Sequence, residues 1–182
     1  MRAFLDNLYR AGGVLGAIFL FAIFTIVLLQ VGANLIDFIA ASVTGHAIGL
    51  AIPSYAEIAG FMLAGASFLA LPYALQHGTH IRVNLFIQRM GPGGRRITDT
   101  WSFLVGFILI AWLSFYAWEL VLESYEFGDL SPGLIAVPIW IPQITLGLGT
   151  TLMAISLLDG FISSLLNKNF FITGDADELG AE

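Results

Sequence analysis

The sequence predicts an all-α integral membrane protein: four transmembrane helices, both termini in the cytoplasm, and a short amphipathic interfacial helix between helices two and three. Composition is the first ground. Hydrophobic residues make up 58% of the 182 positions against 11% charged, with a mean hydropathy of +0.87, more apolar surface than a soluble domain of this size can bury. The second ground is four long uncharged stretches. The third is charge order. All seven basic residues (Arg2, Arg10, Arg82, Arg89, Arg95, Arg96 and Lys168) fall in the first, third and fifth flanks of those stretches, and the second and fourth flanks have none. Lysine and arginine beside spans stay on the cytoplasmic side, so an even number of spans with both ends inside produces this order.

The elements follow in turn. Helix one is expected at 11–36. Its uncharged run of 26 residues from Ala11 to Ile36 exceeds a signal-peptide core of about 7–15 residues and reads as a retained span, not a cleaved leader. Gln30 and Asn34 near its outer end are placed to reach headgroups or a partner helix. Helix two is expected at 56–76, begun by Pro53-Ser54. Helix three is expected at 97–123 and helix four at 139–158, with Pro138 and Pro142 near its first turn, where a missing N–H costs least. Trp101, Trp118 and Trp140 lie near span ends, as in an aromatic belt. Trp112 falls mid-span and is expected to pack against protein. Residues 1–166 form the membrane domain. The acidic tail, 167–182, is too polar to bury a core and is expected to be disordered.

Between helices two and three, Val83, Phe86, Ile87 and Met90 recur at i, i+3, i+4, i+7, with Arg82 and Arg89 one heptad apart on another face. A short helix lying in the inner interface has this pattern, its arginines toward lipid phosphates. Gly91-Pro92-Gly93-Gly94 then breaks it, and Arg95 and Arg96 anchor the start of helix three.

Few residues carry chemistry. With no cysteine, thiol catalysis and disulfides are excluded. His77 and His80 form H-x-x-H, but the one other histidine, His46, falls on the opposite side of the membrane, short of the three or four ligands zinc needs. Interfacial contacts suit both histidines better than a metal, and no catalytic, substrate-binding or cofactor site is assigned. Glu57 and Glu119 sit at outer helix ends, where a solvated carboxylate costs little. Glu119, Glu123 and Glu126 repeat at helical spacing and, with Asp129, form an acidic stripe that is either a docking surface or a solvated face. Gly12-x-x-x-Gly16 and Gly60-x-x-x-Ala64 both permit close helix approach, within the chain or at a seam for another membrane subunit. Ser67, Ser102, Ser114 and Ser156 lack a nearby base and suit interhelical hydrogen bonds. Nucleic acid is excluded as a partner by the absence of a basic surface.

Two segments carry a family resemblance when taken together. Tyr55-Ala56-Glu57, the small-residue helix two and Gly78-Thr79-His80-Ile81-Arg82-Val83-Asn84 form one. Gly128-Asp129-Leu130-Ser131 followed by Val137-Pro138-Ile139-Trp140-Ile141-Pro142-Gln143 forms the other. Together with size and topology they resemble the small membrane subunit of TRAP transporters, the DctQ-like or Q subunit, from helix one to about Leu166. Asn84 stands where many members carry an acidic residue. The resemblance implies a tripartite, ATP-independent, sodium-coupled importer of a small organic acid in the bacterial inner membrane. The large M subunit would carry the transport sites and a periplasmic binding protein, the P subunit, would deliver substrate. This chain would be a non-enzymatic scaffold, touching lipid headgroups or a partner through His80, Arg82, Arg89, Arg95 and Arg96, and offering Glu119, Glu123, Glu126 and Asp129 to the periplasm. Two rival readings are a self-sufficient homo-oligomeric channel or exchanger and a small intramembrane enzyme using His77 and His80.

Overall fold

The computed structural model describes residues 2–77 and 92–166. These form four helices: α1 (Arg2–Thr44), α2 (Tyr55–Gln76), α3 (Pro92–Phe127) and α4 (Trp140–Leu165). Each is long and apolar enough to cross a membrane, and the chain is an all-helical, multi-pass membrane protein. The amphipathic segment expected around 82–90 and the tail 167–182 lie outside the described residues.

The helices pack as a row, α1–α2–α4–α3. α1 packs along α2, α2 along α4 and α4 along α3, while α1 barely meets α4 and has no substantial contact with α3. Asp6 bonds to Gln76 across α1 and α2, and Thr100 to Ser164 across α3 and α4. One end of the row, the basic end, therefore gathers Arg10, Gln76, Asp99 and Leu165. The other, with Glu57, Glu126 and Asp129, is the acidic end.

Helix α1 is the longest. At about 1.5 Å per residue its 43 residues reach about 64 Å, roughly twice a hydrocarbon core of ~30 Å, so it either tilts steeply or projects at the acidic end. The chain then folds back along it. Leu50 N–H donates to Asp37 Oδ2 at 2.8 Å, Ile52 N–H donates to Gln30 Oε1 at 2.8 Å, and Gln30 Nε2 donates to Asn34 Oδ1 at 3.0 Å. Gln30 is only 5% exposed. Gln30 and Asn34, expected to reach headgroups or a partner helix, instead secure the chain's own connecting loop, whose backbone donors need partners near lipid.

Three seams hold the row together. In the α1–α2 seam, a β-carbon at Gly12 would fall 2.6 Å from the Leu69 carbonyl oxygen and one at Gly16 3.0 Å from that of Ala66. The Gly12-x-x-x-Gly16 motif is thus an internal contact. The α2–α4 seam centres on Pro72, fully buried inside α2. Proline lacks the N–H that would bond the carbonyl four residues back, which frees the oxygen of Phe68. Gly149 lies against it: a β-carbon there would sit 2.7 Å from the Phe68 oxygen and 2.6 Å from its carbonyl carbon.

The α3–α4 seam is polar at one level and apolar at another. Thr151 Oγ1 donates to the Gly147 carbonyl at 2.7 Å and accepts from Trp118 Nε1–H at 3.0 Å and from the Ser114 hydroxyl at 2.8 Å. That uses the one donor and both acceptor positions of a hydroxyl. Nearer the basic end, Phe103, Met153 and Leu157 join Leu75 of α2 in an apolar cluster. Thr151→Val keeps the shape but strands the Trp118 and Ser114 donors. It is expected to destabilise the chain by about 1–2 kcal/mol, read as a lower melting temperature in detergent with a changed Trp118 emission.

Candidate functional site

Function in a chain of this kind has to be sought first in any cluster of reactive groups and then on its surfaces. Among the described residues no three His, Asp or Glu side chains come together as a metal cage. His77 closes α2: its Nδ1 lies 2.9 Å from the Tyr73 carbonyl, and its ring stacks on Tyr73 with centroids 4.0 Å apart. His46 lies in the loop at the acidic end, its carbonyl accepting from Thr44 Oγ1. Of the residues expected to touch headgroups or a partner, His80, Arg82 and Arg89 lie outside the described residues. Arg95 and Arg96 fall in the first turns of α3, and their side chains are likewise outside the described set.

The acidic stripe is in place as a surface. Glu119, Glu123 and Glu126 are exposed on α3, and Asp129 is exposed just beyond it. The stripe ends on a braced loop. Asp129 N–H donates to the Ser124 carbonyl at 3.1 Å and the Asp129 carbonyl accepts from Ile139 N–H at 3.0 Å. Ser131 Oγ accepts from Val137 N–H at 3.2 Å. Tyr125 and Trp140 meet edge-on at 5.6 Å.

The same loop closes over the start of α2. Ile135 N–H donates to Ser54 Oγ at 3.0 Å, and Ser54 holds a left-handed φ of 56°. Gly133 lies directly over Glu57, whose Oε2 a β-carbon at 133 would overlap. Glu57, expected to be solvated at the interface, instead has that oxygen buried. It stands in the first turn of α2. The loop tip, Leu134, is 89% exposed. Below it an apolar groove of about 310 Å³ opens between α1, α2 and the start of α4, lined by Phe19, Phe61, Met62, Ile141 and Pro142 among others.

The two small-residue motifs have opposite fates. Gly12 and Gly16 are covered by α2. Gly60 has nothing within 4 Å of where a β-carbon would be, and Ala56, Gly60, Ala64 and Ser67 lie along the exposed face of α2. Trp112, expected to pack against protein, is 62% exposed and touches Tyr116 on an outward face of α3. Ser114 makes the interhelical bond expected of it, whereas Ser67 bonds the Leu63 carbonyl of its own helix. Sequence reasoning missed Pro72 and Gly149. A proline inside a span, with a helix four spelled Gly147-x-Gly149, was the available signal.

Residues 35–167, well over half the chain, match the family described as tripartite ATP-independent periplasmic transporters, DctQ component. A relative is the ectoine TRAP transporter small permease protein TeaB of Halomonas elongata. It is 27% identical over 134 residues, which cover 73% of this chain and 69% of that protein.

Proposed function

The chain belongs to the DctQ component family of tripartite ATP-independent periplasmic transporters, and on that premise we propose that it scaffolds a large membrane subunit during sodium-coupled import of a small organic acid. The observation that carries this reading is the open row. With no substantial contact between α1 and α3, the four helices enclose no pathway of their own, and no metal cluster forms among the described residues. Four helices packed in an open row present their faces to neighbours.

The face of α2 that bears Gly60 and Ala64 is the seam for the large subunit. Small residues let backbones approach closely where there is no hydrophobic drive between helices, and among the described residues no helix packs against Gly60. Trp112 on α3 is a second anchor for a protein neighbour. Glu119, Glu123, Glu126 and Asp129 face the periplasm and meet the substrate-binding protein. His80, Arg82, Arg89, Arg95 and Arg96 hold the inner interface against headgroups or the large subunit. The distribution of basic residues supports a bacterial inner-membrane location with both termini cytoplasmic.

Two experiments test this. The chain should co-purify with a far larger membrane protein, and uptake should require both together with a secreted binding protein. Robust uptake into liposomes by this chain alone overturns the scaffold and favours a self-sufficient channel. For orientation, the absence of cysteine permits single-cysteine labelling. Leu134→Cys should react with an impermeant maleimide in intact spheroplasts, and Asn7→Cys only after permeabilisation. The reverse pattern inverts the topology.

A further inference from the structure

At the basic end, a cleft of about 270 Å³ opens between α1 and α2, lined by Asp6, Asn7, Arg10, Tyr73, Gln76 and His77. It lies at a defined depth. Arg10 is the last charge before the uncharged run of α1, and Gln76 ends the uncharged run of α2. That is the boundary between hydrocarbon and headgroups, where lipid phosphates lie.

The charges within the cleft are arranged unusually. Asp6 and Arg10 stand four residues apart on one helix, the spacing at which such residues ordinarily pair. Here Asp6 turns instead to α2 and accepts from Gln76 Nε2 through one oxygen, and Gln76 is buried. Arg10, exposed, makes no hydrogen bond or ion pair with any described residue. A carboxylate held in place and a guanidinium whose donors no described residue takes therefore share one cleft without pairing with each other. Tyr73 forms its wall: its ring packs so closely on Gly13 that a β-carbon there would lie 2.9 Å from Cγ. His77 is stacked on that ring and held through Nδ1.

We propose that this cleft binds the headgroup of a phospholipid carrying both a phosphate and a primary ammonium, with Arg10 and Asn7 on the phosphate and Asp6 on the ammonium. The guanidinium suits a phosphate because its donors form a planar fork. The net charge of the Asp6–Arg10 pair is zero, which matches a zwitterion. A purely anionic headgroup would set its charge against Asp6. A trimethylated ammonium has no N–H to give the carboxylate. The Asp6 oxygen that Gln76 does not use can take such a bond without breaking the one from Gln76. The proposal stands on this cleft alone and does not depend on the transport role.

Native mass spectrometry of the full chain from nanodiscs tests it, with equal phosphatidylethanolamine and phosphatidylglycerol in one set and phosphatidylcholine replacing the ethanolamine lipid in another. Wild type should retain phosphatidylethanolamine over either competitor by about tenfold, the size of one charge-assisted hydrogen bond. Asp6→Asn, which keeps the shape and an oxygen for Gln76, should erase that preference. Arg10→Lys, which keeps the charge that orients the chain, should weaken retention of all three lipids. Matching circular dichroism melts show that the variants fold. Equal retention of the three lipids by wild type, or an undiminished ethanolamine preference in Asp6→Asn, overturns the proposal. Displacement of the retained lipid by millimolar inorganic phosphate marks a free-anion site and overturns it equally.

Discussion

Gly60→Leu should leave the isolated chain folded and abolish its recovery with the large subunit. The two halves of this expectation have separate causes. Within the chain a β-carbon at position 60 meets nothing within 4 Å, so the added side chain creates no clash. Replacing glycine by leucine in a helix interior is worth up to about 0.8 kcal/mol in its favour. The melting temperature of the purified variant should therefore equal or exceed wild type. Against a partner helix the result reverses. A seam built on small residues depends on close backbone approach and van der Waals contact, and a leucine holds the partner off. Loss of about 3 kcal/mol at such a contact lowers association by roughly two orders of magnitude. Ala64→Leu, one turn further along the same face, should repeat the result. Ile108→Leu, exposed on α3, supplies a control that alters an apolar surface residue without altering its size. Undiminished co-purification of both α2 variants would remove this face from the interface and require the large subunit to dock elsewhere.

The sequence discloses the spans more readily than it discloses this surface. The four spans are legible because an uncharged apolar run near 20 residues matches the thickness of a bilayer and little else. The basic residues indicate which ends of those runs share a side. Pairing is a different matter. Gly12-x-x-x-Gly16 and Gly60-x-x-x-Ala64 are spelled alike, yet one is buried under α2 and the other faces outward. The difference lies in the order of helices across the row, and hydropathy is blind to that order because every face of every span is apolar. The same blindness explains Trp112, whose mid-span position suggests protein packing but whose helix stands at an edge of the row. Gln30 and Asn34 mislead for a related reason. Polar groups at a span end suggest a neighbour, but the loop returning from α1 has backbone donors of its own to satisfy, and it takes these side chains first. Glu57 looks solvated in sequence because nothing near it announces that Gly133, 76 positions on, will cover it.

Gly149 is the position where a single β-carbon should do most damage to the chain itself. The row consists of two antiparallel pairs, α1–α2 and α3–α4, and the α2–α4 seam is the principal contact joining them. At its centre Pro72 leaves the Phe68 carbonyl without its helical donor, and Gly149 lies against that carbonyl. An α-hydrogen can point at a carbonyl oxygen as a weak donor, worth about 0.5–1 kcal/mol. A methyl group at 149 would stand 2.6 Å from both the carbonyl carbon and Cβ of Phe68. These atoms belong to the backbone or its first branch, so no flexible side-chain end can swing aside, and the helices must part. Overpacking of this kind costs about 1–3 kcal/mol, partly offset by about 1 kcal/mol of helix propensity gained on leaving glycine. Gly149→Ala should therefore lower the melting temperature measurably. Gly149→Leu should separate the two pairs while leaving each helical. The readout is a spin-label distance between α2 and α4 that lengthens and broadens, with little change in helical content. Gly32→Ala is the control, since nothing lies within 4 Å of its added carbon and it should be neutral or stabilising. If Gly149→Leu retains the wild-type distance and melting temperature, the freed carbonyl at Phe68 is not what brings the two pairs together. If the pairs separate, association with the large subunit should fail as well, because the face bearing Gly60 would no longer be held in register with α3 and Trp112. Restoring a hydrogen-bond donor to α2 through Pro72→Ala should not rescue it, since the obstruction at 149 is steric.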